Sequence, residues 1–307
     1  MPCTAAVAER HATLPADWPH HEASRFVRAG GLRWHVQVFG TPSAAHPAVL
    51  LLHGTGASSH SWRGLAPLLA AHYTVIAPDL PGHAYTARPI ASSALGLPGM
   101  AAAVGALLKV MGVQPVAVVG HSAGAAIAAR LCLDGHAAPS VLVSLNGAWL
   151  PPGGVGGWLY SPLAKMLVLN PVVPYFFAWH ASRPAMLHRL LASTGSRIDA
   201  EGSELYRQLV ASPAHVGAVL AMMAAWDLNP LVADLPRLAP ALHLVTAAND
   251  STVTAEVATA VQQRLPAARI HVLPGLGHLA HEESPVTVAR LLKRLLAGAG
   301  AAHARED

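Results

Sequence analysis

Residues 116–130, VAVVGHSAGAAIAAR, restrict this chain more than any other stretch. An apolar run stops abruptly at Gly120-His121-Ser122-Ala123-Gly124, and a segment of small, helix-forming residues follows. G-x-S-x-G between a strand and a helix has a mechanical meaning. The turn is so tight that its central residue is held in a strained backbone conformation. The flanking glycines let neighbouring backbone approach, and the hydroxyl stands at the carboxyl end of the strand. The same residues also suit a glycine-rich turn whose serine only caps the helix, so the rest of the chain must decide.

The pattern around this turn alternates. Residues 24–29 and 32–39 flank Gly30-Gly31 as a hairpin; Trp34, Val36 and Val38 alternate with His35 and Gln37. The run 48–52 reads as a doubly buried strand and breaks at His53-Gly54-Thr55-Gly56. Further strands are expected at 73–77, 116–119, 141–145, 241–245 and 269–273, and helices at 62–71, 98–111, 123–133, 254–264 and 285–296. Strands alternating with helices imply a mainly parallel sheet covered on both faces, with ligands outside the carboxyl ends of its strands. His53, Asp79, Ser122 and Asn146 each follow a strand and are expected on one rim.

The rhythm changes after Gly147. Up to about residue 231 no strand pattern occurs, and helices are expected at 158–168, 184–192, 201–210 and 213–227. The expected organisation is therefore an irregular arm at 1–23, an α/β core at 24–148 and 232–297, a helical cap at 149–231 and a mobile tail at 298–307. An eight-stranded sheet fits 307 residues.

Composition excludes several alternatives. The chain is 53% hydrophobic and 12% charged, with a net charge of +4. Its basic residues are scattered, which is no nucleic-acid footprint. Cys3 and Cys132 are too few for a disulfide framework. The uncharged stretch 166–182 is short for a membrane span and holds Pro171 and Pro174. The N-terminus lacks the apolar core of a signal peptide. A cytoplasmic location is expected, with room for peripheral membrane contact through the apolar insertion. No Walker pattern, H-E-x-x-H or Cys/His ligand spacing occurs, so neither a metal nor a cofactor is expected.

A serine hydroxyl needs a base within reach and a third group that orients the base. The order Ser122, Asp250, His278 places one candidate for each role after a strand. His281 is the rival base, three residues further on, and reads as the start of the link into the last helix with Glu282 and Glu283. Asp79 is the rival carboxylate, in a turn that reads as structural. Asn146 ends the strand after the serine's helix and cannot serve as an acid. An oxyanion needs two preorganised donors: the N–H of Ala123, and that of Thr55 between Gly54 and Gly56. His121 reads as packing under the serine turn, and His53 as bracing the oxyanion loop.

LLHGTGASSHSW, APDLPGHAYT, GHSAGAA and LPGLGHLAHEESP together resemble the α/β-hydrolase-fold enzymes. DWPHHEASRFVRAGGLRWHVQ, LPGMAAAV, LVSLNGAWLPP, SPLAKML and AHVGAVLAMMAAWDL are further similar to the magnesium-chelatase accessory family of bacteriochlorophyll biosynthesis. The resemblance implies Ser122 as nucleophile, Asp250 as acid and His278 as base, in a pathway step near magnesium insertion into protoporphyrin. His83-Ala84 and Ala247 depart from the general family's glycines. The expected activity is a capped serine hydrolase acting on an apolar, ester-like substrate, such as a tetrapyrrole. The alternative is a non-catalytic porphyrin-binding or magnesium-chelatase accessory role. Candidate pocket residues are His53, Asn146, Trp149, Phe176, Phe177, Met222, Met223 and Trp226, although the aromatic residues and the two methionines also read as cap core.

Overall fold

The computed structural model describes residues 14–151, 170 and 172–297. The helix expected at 158–168, Trp158, and the tail at 298–307 lie outside the described residues, as do positions 1–13 of the arm. Eight strands form one sheet in the order β1-β2-β4-β3-β5-β6-β7-β8. They are β1 Ser24–Ala29, β2 Leu32–Phe39, β3 Ala48–Leu52, β4 Thr74–Pro78, β5 Ala117–His121, β6 Val141–Leu145, β7 Ala241–Ala247 and β8 Arg269–Leu273. β1 pairs antiparallel with β2, and β2 with β4; every other pairing is parallel. The hairpin closes at Ala29↔Leu32 over Gly30 and Gly31, whose φ values of 57° and 78° match the twist of a two-residue turn.

The uninterrupted apolar runs are explained by burial on both faces. Along β3, Leu50 and Leu52 enter one core while Val49 and Leu51 enter the other, as a side-chain period of two requires. The first core lies under α2 Leu97–Met111, α3 Ala123–Leu133 and the helix Ala255–Arg264. The second lies under α1 Ala66–Ala70 and the closing helix Pro285–Leu296. That closing helix buries Val288, Ala289, Leu291, Leu292 and Leu296, one stripe at helical spacing. Each fully buried leucine contributes about 1.5–3 kcal/mol.

Boundaries differ from the sequence expectation by a few residues. β5 runs to His121, so the strand leads straight into the serine turn. The helix expected at 62–71 is a 3-10 turn, Ser59–Trp62, followed by α1.

Between β6 and β7 the described residues form helices only: α4 Val173–Ala181, α5 Pro184–Ala192, α6 Ala200–Val210, α7 Pro213–Ala225 and α8 Asn229–Asp234. α4 was not expected, because Pro171 and Pro174 read as interruptions. Pro174 instead occupies the first turn, where a missing N–H costs nothing. α6 and α7 start at Asp199 and Ser212, whose side chains accept from Gly202 N and His215 N. After β7 come α9 Ala255–Arg264, α10 Ala280–Glu283 and α11 Pro285–Leu296. Residues 14–23 of the arm are pinned by Trp18, which packs on Leu205 and Leu209 of α6.

Candidate active site

Ser122 stands between β5 and α3 with φ 51° and ψ −118°. A non-glycine residue held there stores about 1–3 kcal/mol of strain. The strain is held by backbone bonds: Ser122 N donates to Leu145 O at 3.0 Å, and Ser122 O accepts from Ala125 N and Ala148 N, each at 3.1 Å. The two glycines of the motif are sterically required. A Cβ on Gly124 would collide with the Leu52 carbonyl, and one on Gly120 with the Gly124 carbonyl. The β3 turn therefore lies directly on the serine turn; a Cβ on Gly54 would lie 3.0 Å from Ser122 Cβ. Ala123 is buried and Thr55 exposed on that turn.

Asp250 and His278 meet from the ends of β7 and β8. Asp250 Oδ2 lies 2.8 Å from His278 Nδ1, while Oδ1 accepts the N–H groups of Thr252 and Val253, both at 2.8 Å. Both oxygens are engaged, so the carboxylate is held in place and can orient the imidazole through Nδ1. Asn146 (φ 46°) bridges the same loops. Its Oδ1 accepts from Ala247 N at 2.8 Å, and its Nδ2 donates to His278 O at 2.8 Å and to Gly277 O at 3.2 Å. It positions the His278 loop by these bonds.

His281 does not pair with a carboxylate. It is buried in α10, the short helix that leads into α11, with its ring 4.5 Å from both Trp62 and His121. Burial, aided by His278 and Arg63, pushes its pKa down to about 3. His121 donates from Nε2 to His278 O at 2.9 Å, with its ring under the serine turn; burial and the neighbouring histidines hold it well below the ordinary value. His53 is buried and braces the β3 turn: Nδ1 donates to Gly54 O and Nε2 accepts from Leu80 N, both at 2.8 Å.

The other candidate pocket residues are spread out. Trp149 is buried and donates to Ser144 Oγ at 2.8 Å. Met222 and Trp226 enter the core under α2 and α3, and Met223 is half-buried. Phe176 and Phe177 are exposed on α4. Asp79 is sealed: Oδ2 accepts from His35 Nδ1 at 2.8 Å and Tyr85 N at 3.2 Å, and Oδ1 from Ser59 N at 2.8 Å. Burial alone would raise its pKa, but His35, His53 and the Ser59 N–H outweigh it and hold the carboxyl well below its usual range. Among the described residues no three His, Cys, Asp or Glu groups are placed to hold a metal ion.

Sequence reasoning missed the loop between α5 and α6. Its residues 193–197 grip both triad-candidate loops. Thr194 O accepts from His278 N at 3.1 Å, Ser196 Oγ from Leu279 N at 2.8 Å, and Ser193 O from Ser251 Oγ at 2.8 Å. Gly195 (φ 77°) lies so close to Asn249 O and Gly277 that no side chain fits. On the far side Glu283 accepts Gly277 N at 2.7 Å and Arg197 N at 3.1 Å. S-T-G-S between two helical stretches signalled a turn, but nothing local signalled its partners. Glu282 was also read as a linker residue. It is buried between Arg63 (2.6 Å) and Tyr206 of α6 (2.8 Å), and burial wins over both to push its carboxyl up to about 7.

A sequence profile described as the alpha/beta hydrolase family matches residues 49–291. The chain belongs to the alpha/beta hydrolase family. Among its relatives, the magnesium-chelatase 30 kDa subunit of Rhodobacter capsulatus is 42% identical, covering 88% of this chain and 93% of that one. A 2-hydroxy-6-oxo-6-phenylhexa-2,4-dienoate hydrolase of Burkholderia cepacia is 27% identical over 81% and 87%. In fold the chain is similar to an epoxide hydrolase from Vigna radiata, with a TM-score of 0.70, 18% identity, and 89% and 97% of the two chains covered. The α/β-hydrolase fold expected from the motifs is thus established.

Proposed function

We propose that this alpha/beta hydrolase is a serine hydrolase in which Ser122, His278 and Asp250 form the catalytic triad. The observation that carries the reading is the 2.8 Å His278–Asp250 contact on the rim where Ser122 is held at positive φ. With Asp250 accepting from Nδ1, Nε2 is left as the acceptor and takes the Ser122 proton while Oγ attacks a carbonyl carbon. The N–H groups of Ala123 and Thr55 hold the oxyanion that forms. His278 then protonates the leaving group and activates the water that releases the acyl product. Asp250 stabilises the imidazolium.

The helices at 173–237 act as a cap over this rim, and their apolar content favours an ester-like, apolar substrate. The 42% identical magnesium-chelatase subunit supports a substrate among tetrapyrroles of magnesium-porphyrin metabolism. The same relative's name favours a second reading, an accessory protein that binds porphyrin or magnesium chelatase without turnover. The protein would act in the cytoplasm in either case.

The test is labelling with a fluorophosphonate, which reacts with an activated serine whatever the substrate. Mass spectrometry is expected to find the adduct on Ser122, and none in Ser122→Ala or His278→Ala. Hydrolysis of short acyl esters should disappear in the same variants. Wild-type protein that stays unlabelled yet binds protoporphyrin saturably would overturn the hydrolase reading in favour of the accessory one.

A further inference from the structure

Helix α4 breaks the rule that an apolar helix is a buried one. Its nine residues, VPYFFAWHA, bury only Ala178. Val172, Tyr175, Phe176, Phe177 and Trp179, with Leu190 of the adjoining α5, are between 47% and 67% exposed. Single exposed apolar residues are ordinary, whereas a contiguous group marks an interaction surface. The Phe176 ring lies 6.0 Å from Phe177 and 6.2 Å from Trp179, so the rings group with one another on the surface.

Charge identifies what covers them. The chain has 16 acidic residues, yet none lies at positions 135–198. The cations on α4, α5 and the joint between them are Arg183, whose guanidinium sits 3.8 Å over the Trp179 ring, and Arg189. Across α4 and α5 a second copy would set arginine against arginine, with no carboxylate on either helix to compensate. Trp, Tyr and Phe beside Arg, without acids, is instead the composition that settles at a lipid headgroup boundary and is drawn to anionic lipid. At 1.5 Å per residue the helix is about 14 Å long, too short to cross a bilayer. Among the described residues no single helix is long and apolar enough to do so.

We propose that α4 docks this protein onto the surface of an anionic bilayer, lying in the interfacial plane with Tyr175, Phe176 and Trp179 inserted. Docking would bring the membrane near the candidate site. Pro174 of α4 packs on Gly217 of α7. Two residues earlier on α7, His215 bonds Gly56 O at 3.2 Å and Ala84 N at 3.0 Å. One helix layer then separates lipid from the β3 turn, a short path for an apolar ligand.

The test is co-sedimentation of the full chain with vesicles. Binding to phosphatidylcholine containing about 30% phosphatidylglycerol should exceed binding to phosphatidylcholine alone by about fivefold. Tyr175→Ser/Phe176→Ser/Trp179→Ser should lose about tenfold in binding, while its circular dichroism and melting stay as in the wild type. Arg183→Gln/Arg189→Gln should abolish the preference for anionic lipid. Ser122→Ala should bind as the wild type does, so the proposal stands apart from catalysis. Lack of wild-type binding to either vesicle would overturn it. So would a triple variant that binds undiminished, or a wild-type dimer that this variant converts to a monomer.

Discussion

His35 with Asp79 and His278 with Asp250 are pairs of equal length, each 2.8 Å from Nδ1 to Oδ2. Their surroundings separate them. The first pair is sealed, with no side-chain exposure on either partner, and His35 Nε2 meets no hydrogen-bonding partner among the described residues. The second keeps 7% exposure on His278 and stands on the rim shared with Ser122. A histidine–aspartate contact is therefore no mark of catalysis by itself. The sealed pair joins β2 to the β4 turn, where Asp79 also gathers the Ser59 and Tyr85 N–H groups. The open pair joins two loops at strand ends.

The sharpest break between them is a pair of matched substitutions. Asp250→Asn should lower kcat by about 10⁴-fold through loss of the required tautomer, with the unfolding midpoint barely moved. Asp79→Ala should do the reverse. It strands His35, the buried Ser59 N–H and the part-buried Tyr85 N–H and should cost about 3–5 kcal/mol in urea denaturation, while any folded fraction retains its kcat. Equal effects on stability would erase the distinction.

Acid should strain the sealed side next. His53, His83 and His215 form a line of rings 5.2 and 5.4 Å apart beside Asp79. Burial pushes His215 down to about 4. A histidine depressed on folding takes up its proton first in the unfolded chain. Its contribution is therefore complete above pH 6.5 and is lost as pH falls from 6.5 through about 4. For His215 that amounts to roughly 3 kcal/mol by pH 4. Urea denaturation at pH 7 and pH 5 should show the loss, and His215→Gln should show a shallower pH slope. Glu282, raised to about 7, works in the opposite sense: its contribution is present below 4.5 and is lost as pH rises through 7. Glu282→Gln should therefore gain relative stability above pH 7.

The smallest expected effect probes the open pair's support. Ser196→Ala removes the hydroxyl that accepts from Leu279 N. It should lower kcat about tenfold with KM little changed, as a loosened base would. Ser196→Thr should restore most of the loss. A change in KM alone would assign Ser196 to binding instead.

The parallel sheet was legible because β3, β5 and β6 are apolar runs stopped by turn residues, and the rim followed from where those runs end. His278 could be preferred to His281 because Gly277 frees the chain to turn directly at the strand exit. What escaped was decided at long range. Ser196 meets Leu279 across 83 positions, and Tyr206 meets Glu282 across 76; neither leaves a periodic trace. α4 escaped because one proline at a helix start has the same letter as one that ends a helix.

The grip of residues 193–197 on the Asp250 and His278 loops bears on how such a protein can change. The inserted helices are the natural place to vary what is bound, yet this short loop between two of them also fixes the alignment of His278 with Asp250. Grafting a different insert onto this sheet would exchange specificity and geometry together. A workable chimera would have to keep the S-T-G-S-R corner of the original and vary only what surrounds it.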